Sequence, residues 1–335
     1  MVAGFSGKAL YRQQKGRKMK KYLKIACGMV LCLAMLLAGC AQGGEPQGAA
    51  ETGEAKAEAK GQLTINMLDI GQGDAILIQT GVKNILIDTG DDKYYEDGKK
   101  GKENTQLFAQ LQKLKVDHID TLVMTHAHAD HIGKADKVIA QYGVKELVYN
   151  GIPSTGKYFV NALKAAKANG TQQVKVKAGD VLDFGNGVSF EVVSPSQSLI
   201  DDDTAAIKAK KKVDVNNESV VGRLTFGKFS MLFTGDAEGP VEKTMAASYG
   251  SKLKSQVLKA GHHGSKTSST ADFLKLVQPE SVIMSLGANN QYGHPHKELL
   301  ARLQKQGIKD IYRTDQNGTI TIVSDGTSYN ITTEK

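Results

Sequence analysis

The chain has 335 residues, of which 40% are hydrophobic and 23% charged, which excludes a wholly disordered protein and allows one or two domains with a buried core. Its formal charge of +8 suggests a polyanion partner at first sight, but residues 1–39 hold eight Lys/Arg and no acid. Without them 35 basic residues face 35 acidic ones, so net charge carries no argument for nucleic-acid binding.

Residues 1–39 read as an export signal with its start at Met19. A lysine-rich opening precedes an apolar run from Ile25 to Leu37, which is 13 residues long. A membrane-spanning helix needs roughly 20, whereas a signal peptide does not. The residues before Met19 are either an upstream extension or a long basic leader. Leu37-Ala38-Gly39-Cys40 resembles the lipobox of bacterial lipoproteins, which implies that Cys40 is lipidated and that the mature protein sits on the outer face of the cell membrane; an ordinary cleaved signal is the alternative. Cys27 and Cys32 lie within the signal, so no disulfide is expected. Residues 40–60, rich in Ala, Gly and Glu, read as a flexible linker.

The domain proper, 61–335, opens with three short strands, LTINMLDI, DAILIQT and KNILIDT. A helix is predicted over Asn104–Lys115, a strand over Ile119–Thr125, a helix over Lys134–Tyr142, the strand KELVY, and a helix over Gly156–Asn169. Strands QVKVKA, VSFEVVS, SVVGRLTFG and FSMLFTG follow, then helix and strand alternate to a terminal hairpin turning at Asp325-Gly326. Ser194–Glu218 is expected as a long irregular loop. The pattern predicts an α/β fold, an αββα sandwich of two mixed sheets with helices outside.

The densest chemistry is THAHADHIG, Thr125–Gly133, which spends three of the chain's 8 histidines in one turn. His126, His128, Asp130 and His131 fall at the carboxyl end of a buried strand, where sites in such sheets collect. Imidazole with carboxylate suits zinc, manganese or iron rather than calcium. Four ligands in so short a loop crowd a single ion, which argues for two divalent metals, Zn or Mn.

HxHxDH resembles the signature of the metallo-β-lactamase fold superfamily. LDIGQGDAILIQT, ILIDTG, VMTHAHADHIG, MLFTGDAE, LKAGHHGSKTSS, SLGANNQYGHP and YRTDQNGTI are similar, in that order, to the hydrolase domain of the ComEC/Rec2 competence proteins, over roughly residues 63–325. The resemblance implies that His126, His128, Asp130, His131 and Asp236 ligate, Asp236 bridging both ions. The last ligand comes from His262, His263 or His294. Position after SVIMSLG favours His294, while His263, ahead of His262, supplies a ligand or a group against a substrate oxygen. Asp130 and His263 are the candidate catalytic groups. Asp69 and Asp88 are expected behind the metals, with Gly71, Gly73 and Gly90 permitting tight turns there. His296 is expected at a helix start and His118 at the surface.

One departure stands out: the superfamily usually places another histidine between the loop and the bridging aspartate, and this chain has none between His131 and His262. VNNESVV occupies the matching place, so Asn217 or Ser219 is expected near the first metal. The implied activity is hydrolysis of a phosphodiester, with DNA as substrate; Lys266 in GSKTSS and Lys208, Lys210, Lys211 and Lys212 offer positive charge for it. Hydrolysis of a β-lactam, lactone or thioester is one alternative, and a metal-stabilised DNA-binding lipoprotein without catalysis is another.

Overall fold

The computed structural model describes residues 61–96 and 99–335; the expected signal, Cys40 and the linker lie outside the described residues. Among the described residues no helix is long and apolar enough to cross a membrane.

The first strands are β1 (Leu63–Met67), β2 (Ile76–Gln79) and β3 (Asn84–Ile87), followed by a small hairpin of β4 (Lys93–Glu96) and β5 (Lys99–Glu103) that the sequence reading missed. Helix α1 (Gln106–Lys113) leads to β6 (Thr121–Val123), the one-turn α2 (Ala129–Ile132), α3 (Ala135–Tyr142), β7 (Glu146–Tyr149), α4 (Lys157–Asn169) and β8 (Gln172–Lys175). The second half runs β9 (Val181–Gly185), β10 (Val188–Ser194), α5 (Gln197–Lys208), β11 (Val221–Phe226), β12 (Phe229–Phe233), α6 (Gly239–Tyr249) and β13 (Val257–Lys259). It ends with α7 (Ala271–Val277), β14 (Ser281–Met284), α8 (Lys297–Lys305), β15 (Asp310–Arg313), α9 (Thr314–Asn317), β16 (Ile320–Ser324) and β17 (Tyr329–Thr333).

These strands form an eight-stranded sheet, β17-β16-β1-β2-β3-β6-β7-β8, and a seven-stranded one, β15-β14-β13-β12-β11-β10-β9. Each sheet is mixed: β3, β6, β7 and β8 run parallel, as do β12 to β15, and the rest are antiparallel. Side-chain alternation explains the layers. Ile65, Ile78, Ile85 and Val123 of the first sheet meet Phe190, Leu224, Met231 and Phe233 of the second in one core. Their sequence neighbours Leu77, Leu86, Leu122 and Leu147 point the other way, under α1, α3 and α4. Leu232, Leu258 and Val282 do the same under α6, α7 and α8. With both faces covered, the strands must be apolar at nearly every position, which is why they read as continuous runs. The result is the expected αββα sandwich.

The segment Ser194–Glu218 departs from expectation. It contains the twelve-residue α5, capped by the Ser196 hydroxyl accepting from the Leu199 N–H, and a 3₁₀ turn at Val215–Glu218. No residue of α5 is fully buried, so it lacks the apolar stripe that announces a helix in sequence.

Candidate metal centre

The parallel strands of the two sheets deliver the chemistry at their carboxyl ends. Asp88 follows β3, His126 follows β6, Asp236 follows β12, and His262 and His263 follow β13. Gly73, between β1 and β2, lets its loop close on the one after β6. Its φ is +125°, and a Cβ there would meet the Asp130 carbonyl oxygen at 2.2 Å.

Asp236 is the hub. Its Oδ2 lies 3.1 Å from His131 Nε2, 3.4 Å from His263 Nε2, and 3.9 Å from both His126 Nε2 and His262 Nε2. Asp130 Oδ2 is 3.4 Å from His263 Nε2, and His126 Nε2 is 3.1 Å from His128 Nδ1. His131 and His263 are buried, whereas His128 is exposed and Asp130 half-buried, so the group opens to solvent on the side of the one-turn helix.

The outer nitrogens are tied. His131 Nδ1 donates to Asp88 Oδ2 at 2.7 Å and His263 Nδ1 to the Ser285 carbonyl at 2.8 Å. A carbonyl and a carboxylate only accept, so both Nδ1 atoms carry the hydrogen and both Nε2 atoms present lone pairs when the rings are neutral. Those two Nε2 atoms stand 3.2 Å apart beside a carboxylate. Lone pairs that close repel unless a positive charge, a proton or a metal ion, lies among them. Asp236 Oδ1, buried, has no hydrogen-bond partner, a second sign that a positive group completes the arrangement. Imidazoles with carboxylates are the donor set of a transition dication, so the residues fit divalent metal.

Electrostatics agree. Burial penalises the His131 cation, yet Asp236 and Asp88 push its pKa well above the ordinary value; for His263 burial is outweighed in the same way by Asp236 and Asp74. Burial would raise Asp236, but His131 and His263 hold it well below the usual carboxylate range. Burial and His131 together press His126 down.

The family model of the metallo-beta-lactamase superfamily matches residues 68–287. This chain belongs to the metallo-β-lactamase superfamily. It is 36% identical over 269 residues to ComE operon protein 3 of Bacillus subtilis (strain 168), covering 76% of this chain and 32% of that protein. To Competence protein ComA of Neisseria gonorrhoeae it is 29% identical over 265 residues, 79% of this chain and 33% of the other. Exodeoxyribonuclease WalJ of Streptococcus pneumoniae is 27% identical over 129 residues, 37% of this chain and 44% of that protein. The chain spans about a third of the length of the competence proteins it matches.

As a metallo-β-lactamase-fold protein it places most of the expected residues together. His126, His128, Asp130, His131, Asp236 and His263 converge, and Asp88 stands behind His131. His294 lies one ring further from Asp236, behind His262 and His263. Its ring centroid lies 5.4 Å from that of His262, edge-on, and 6.3 Å from that of His263, between Tyr292 and His296, and its Nδ1 is buried without a hydrogen-bond partner. Burial and the neighbouring histidines hold its pKa down to about 3. The histidine facing Asp130, His131 and Asp236 is therefore His263. His296 caps α8, where its Nδ1 accepts from the Lys266 N–H, and His118 lies at the surface against Asp117.

Asp69 needs correction. Leu68 and Ile70 beside it pack under the outer helices, so alternation turns Asp69 away, and its carboxylate meets Lys335 at 3.3 Å. Asn217 is likewise turned aside by the 3₁₀ turn: its amide donates to Asp214 Oδ2 and its oxygen accepts from the Glu238 N–H. At the matching place it is Ser219 that reaches the centre, its Oγ 3.3 Å from His126 Nδ1 and accepting from the Asp236 N–H at 3.0 Å.

The residue overlooked is Asp74, the second aspartate of LDIGQGD. Its Oδ1 is 3.4 Å from His263 Nδ1 and its Oδ2 3.9 Å from His131 Nδ1. It touches the outer nitrogens while Asp236 touches the inner ones, so Asp74 backs the two imidazoles. Burial would raise its pKa, but Lys259, 2.7 Å away and itself buried, and His263 bring it down to about 2.

Proposed function

We propose that this chain is a divalent-metal-dependent phosphodiesterase acting on DNA, held at the outer face of the cell membrane by a lipid on Cys40. The observation that carries the hydrolase part is the convergence of buried Nε2 atoms on the hub Asp236, with the partly exposed Asp130 against His263. Bound dications would acidify a water and polarise a phosphoryl oxygen. Around them His131 is held by Asp88 and His263 by Ser285, with Asp74 behind both rings, so the imidazoles are already oriented toward Asp236. Asp130, one-quarter exposed and within hydrogen-bonding range of His263, is placed to take or give a proton at the open side.

A DNA substrate is supported by three features. The relatives include a protein named an exodeoxyribonuclease and one named a competence protein. A cavity of about 140 Å³ beside Asp130, lined by Gln72, Asn289, Asn290 and Tyr292, is comparable to one that holds a single six-membered ring. Tyr292 is 52% exposed and stacked on His294, a platform for a base. The GSKTSS hydroxyls contribute less than expected: Ser265 and Thr267 bond each other, and Thr267 also bonds Glu238, leaving Lys266 exposed for phosphate.

The test is turnover of single-stranded DNA, bis-p-nitrophenyl phosphate and nitrocefin by the purified full chain with Mn²⁺ or Zn²⁺. Cleavage of the first two supports the proposal. Nitrocefin cleavage alone moves the substrate class to β-lactams, and DNA binding without cleavage leaves a binding lipoprotein. Release of the chain from membranes by Cys40→Ala tests the anchor.

A further inference from the structure

The resemblance implies a further histidine ligand between His131 and Asp236, this chain has none there, and Ser219 offers in its place a hydroxyl already engaged by His126 and the Asp236 N–H. We propose that His262 supplies the missing imidazole. The two histidines of GHHG would then divide across Asp236, His263 serving the side of Asp130 and His131, and His262 the side of His126 and His128. The inference rests on the centre being a metal centre.

Three observations converge on His262. Its Nε2 is as far from Asp236 Oδ2 as His126 Nε2 is, 3.9 Å in each case. Its Nδ1 donates to Glu238 Oε1 at 2.9 Å, and that oxygen is fixed in turn by the Thr267 hydroxyl at 2.9 Å. This is the carboxylate–imidazole arrangement that orients metal-ligating histidines and leaves Nε2 with a lone pair toward the ion. Third, His262 and His263 are consecutive residues in the left-handed region, with φ of 49° and 54°. Such backbone is strained for residues other than glycine and persists where a site requires it. Here it turns both rings toward one carboxylate with their planes 67° apart, so they address different positions around it. Asp236 Oδ1 beside them is buried without a hydrogen-bond partner, so the carboxylate would still have an oxygen to offer a second ion.

The test is manganese binding by the chelator-stripped full chain, followed by calorimetry and by electron paramagnetic resonance. Wild type is expected to take two ions and give the signal of a coupled pair. His262→Gly, which suits the positive φ, should keep one ion and bind the second at least about 100-fold more weakly, beyond the range of an outer-shell change. The pair signal should disappear and return with millimolar imidazole. Glu238→Gln, which leaves the histidine in place, should weaken only the second ion, by about 10-fold. Two unchanged ions and a retained pair signal in either variant overturn the assignment of His262, as does a wild type that takes one ion. A wild type that takes none overturns the metal-centre reading instead.

Discussion

His131 Nδ1 donates to Asp88 Oδ2 across 2.7 Å, with both side chains fully buried and the Asp88 backbone held at a φ of 60°. Asp88 also accepts from the Thr125 N–H and hydroxyl, so one carboxylate ties the end of β3 to the start of the histidine loop. Asn tolerates a positive φ and keeps the side chain's size, but its amide N–H₂ cannot accept from the imidazole. Asp88→Asn should therefore fold, and it should bind manganese about 10- to 100-fold more weakly. Competition titration against a metal-sensitive dye measures this; unchanged affinity would show that Asp88 only braces the loop.

The Asp74–Lys259 pair is buried on both sides at 2.7 Å. Removing one partner strands a buried charge, so Lys259→Met should cost about 3–5 kcal/mol. Asp74→Asn combined with Lys259→Met should cost less than the two single changes together. Urea unfolding of the four metal-free proteins gives the coupling. Additive costs would mean that the pair does not interact.

How much of this could be read from the chain divides along physical lines. The paired histidine loop and Asp236 were legible because strand periodicity fixed where the sheet ends and the ligand types are rare in this sequence. Asp69 and Asp74 lie in one motif, and only the packed neighbours Leu68 and Ile70 reveal that the first turns out while the second reaches the histidines. His263 could not be separated from His294 in sequence because the choice depends on a left-handed backbone at His262 and His263. Helix α5 escaped because its face is not buried, and the apolar period is the signal by which helices are found.

Glu218 gives a pH signature. Burial, with Asp203 and Asp214 adding to it, raises its pKa from 4.5 to about 8. The folded state then keeps a proton that the unfolded chain releases, so between about pH 4.5 and 8 the native form binds more protons and stability falls as pH rises. Glu218→Gln should remove this dependence, a difference on the order of 1–3 kcal/mol between pH 5 and pH 8.5. Urea midpoints of wild type and variant at the two pH values decide it; parallel behaviour would place Glu218 in contact with solvent or a counter-charge.

The most direct measurement is the metal content of the full chain after stripping with chelator and reloading with excess manganese or zinc, wild type beside Asp236→Asn. Asparagine preserves the hub's shape but removes the charge that gathers His126, His131, His262 and His263. The expected result is two ions per wild-type chain and a clear loss in the variant. A folded wild type that stays metal-free, or a variant that holds as much metal as wild type, would contradict a metal centre at Asp236.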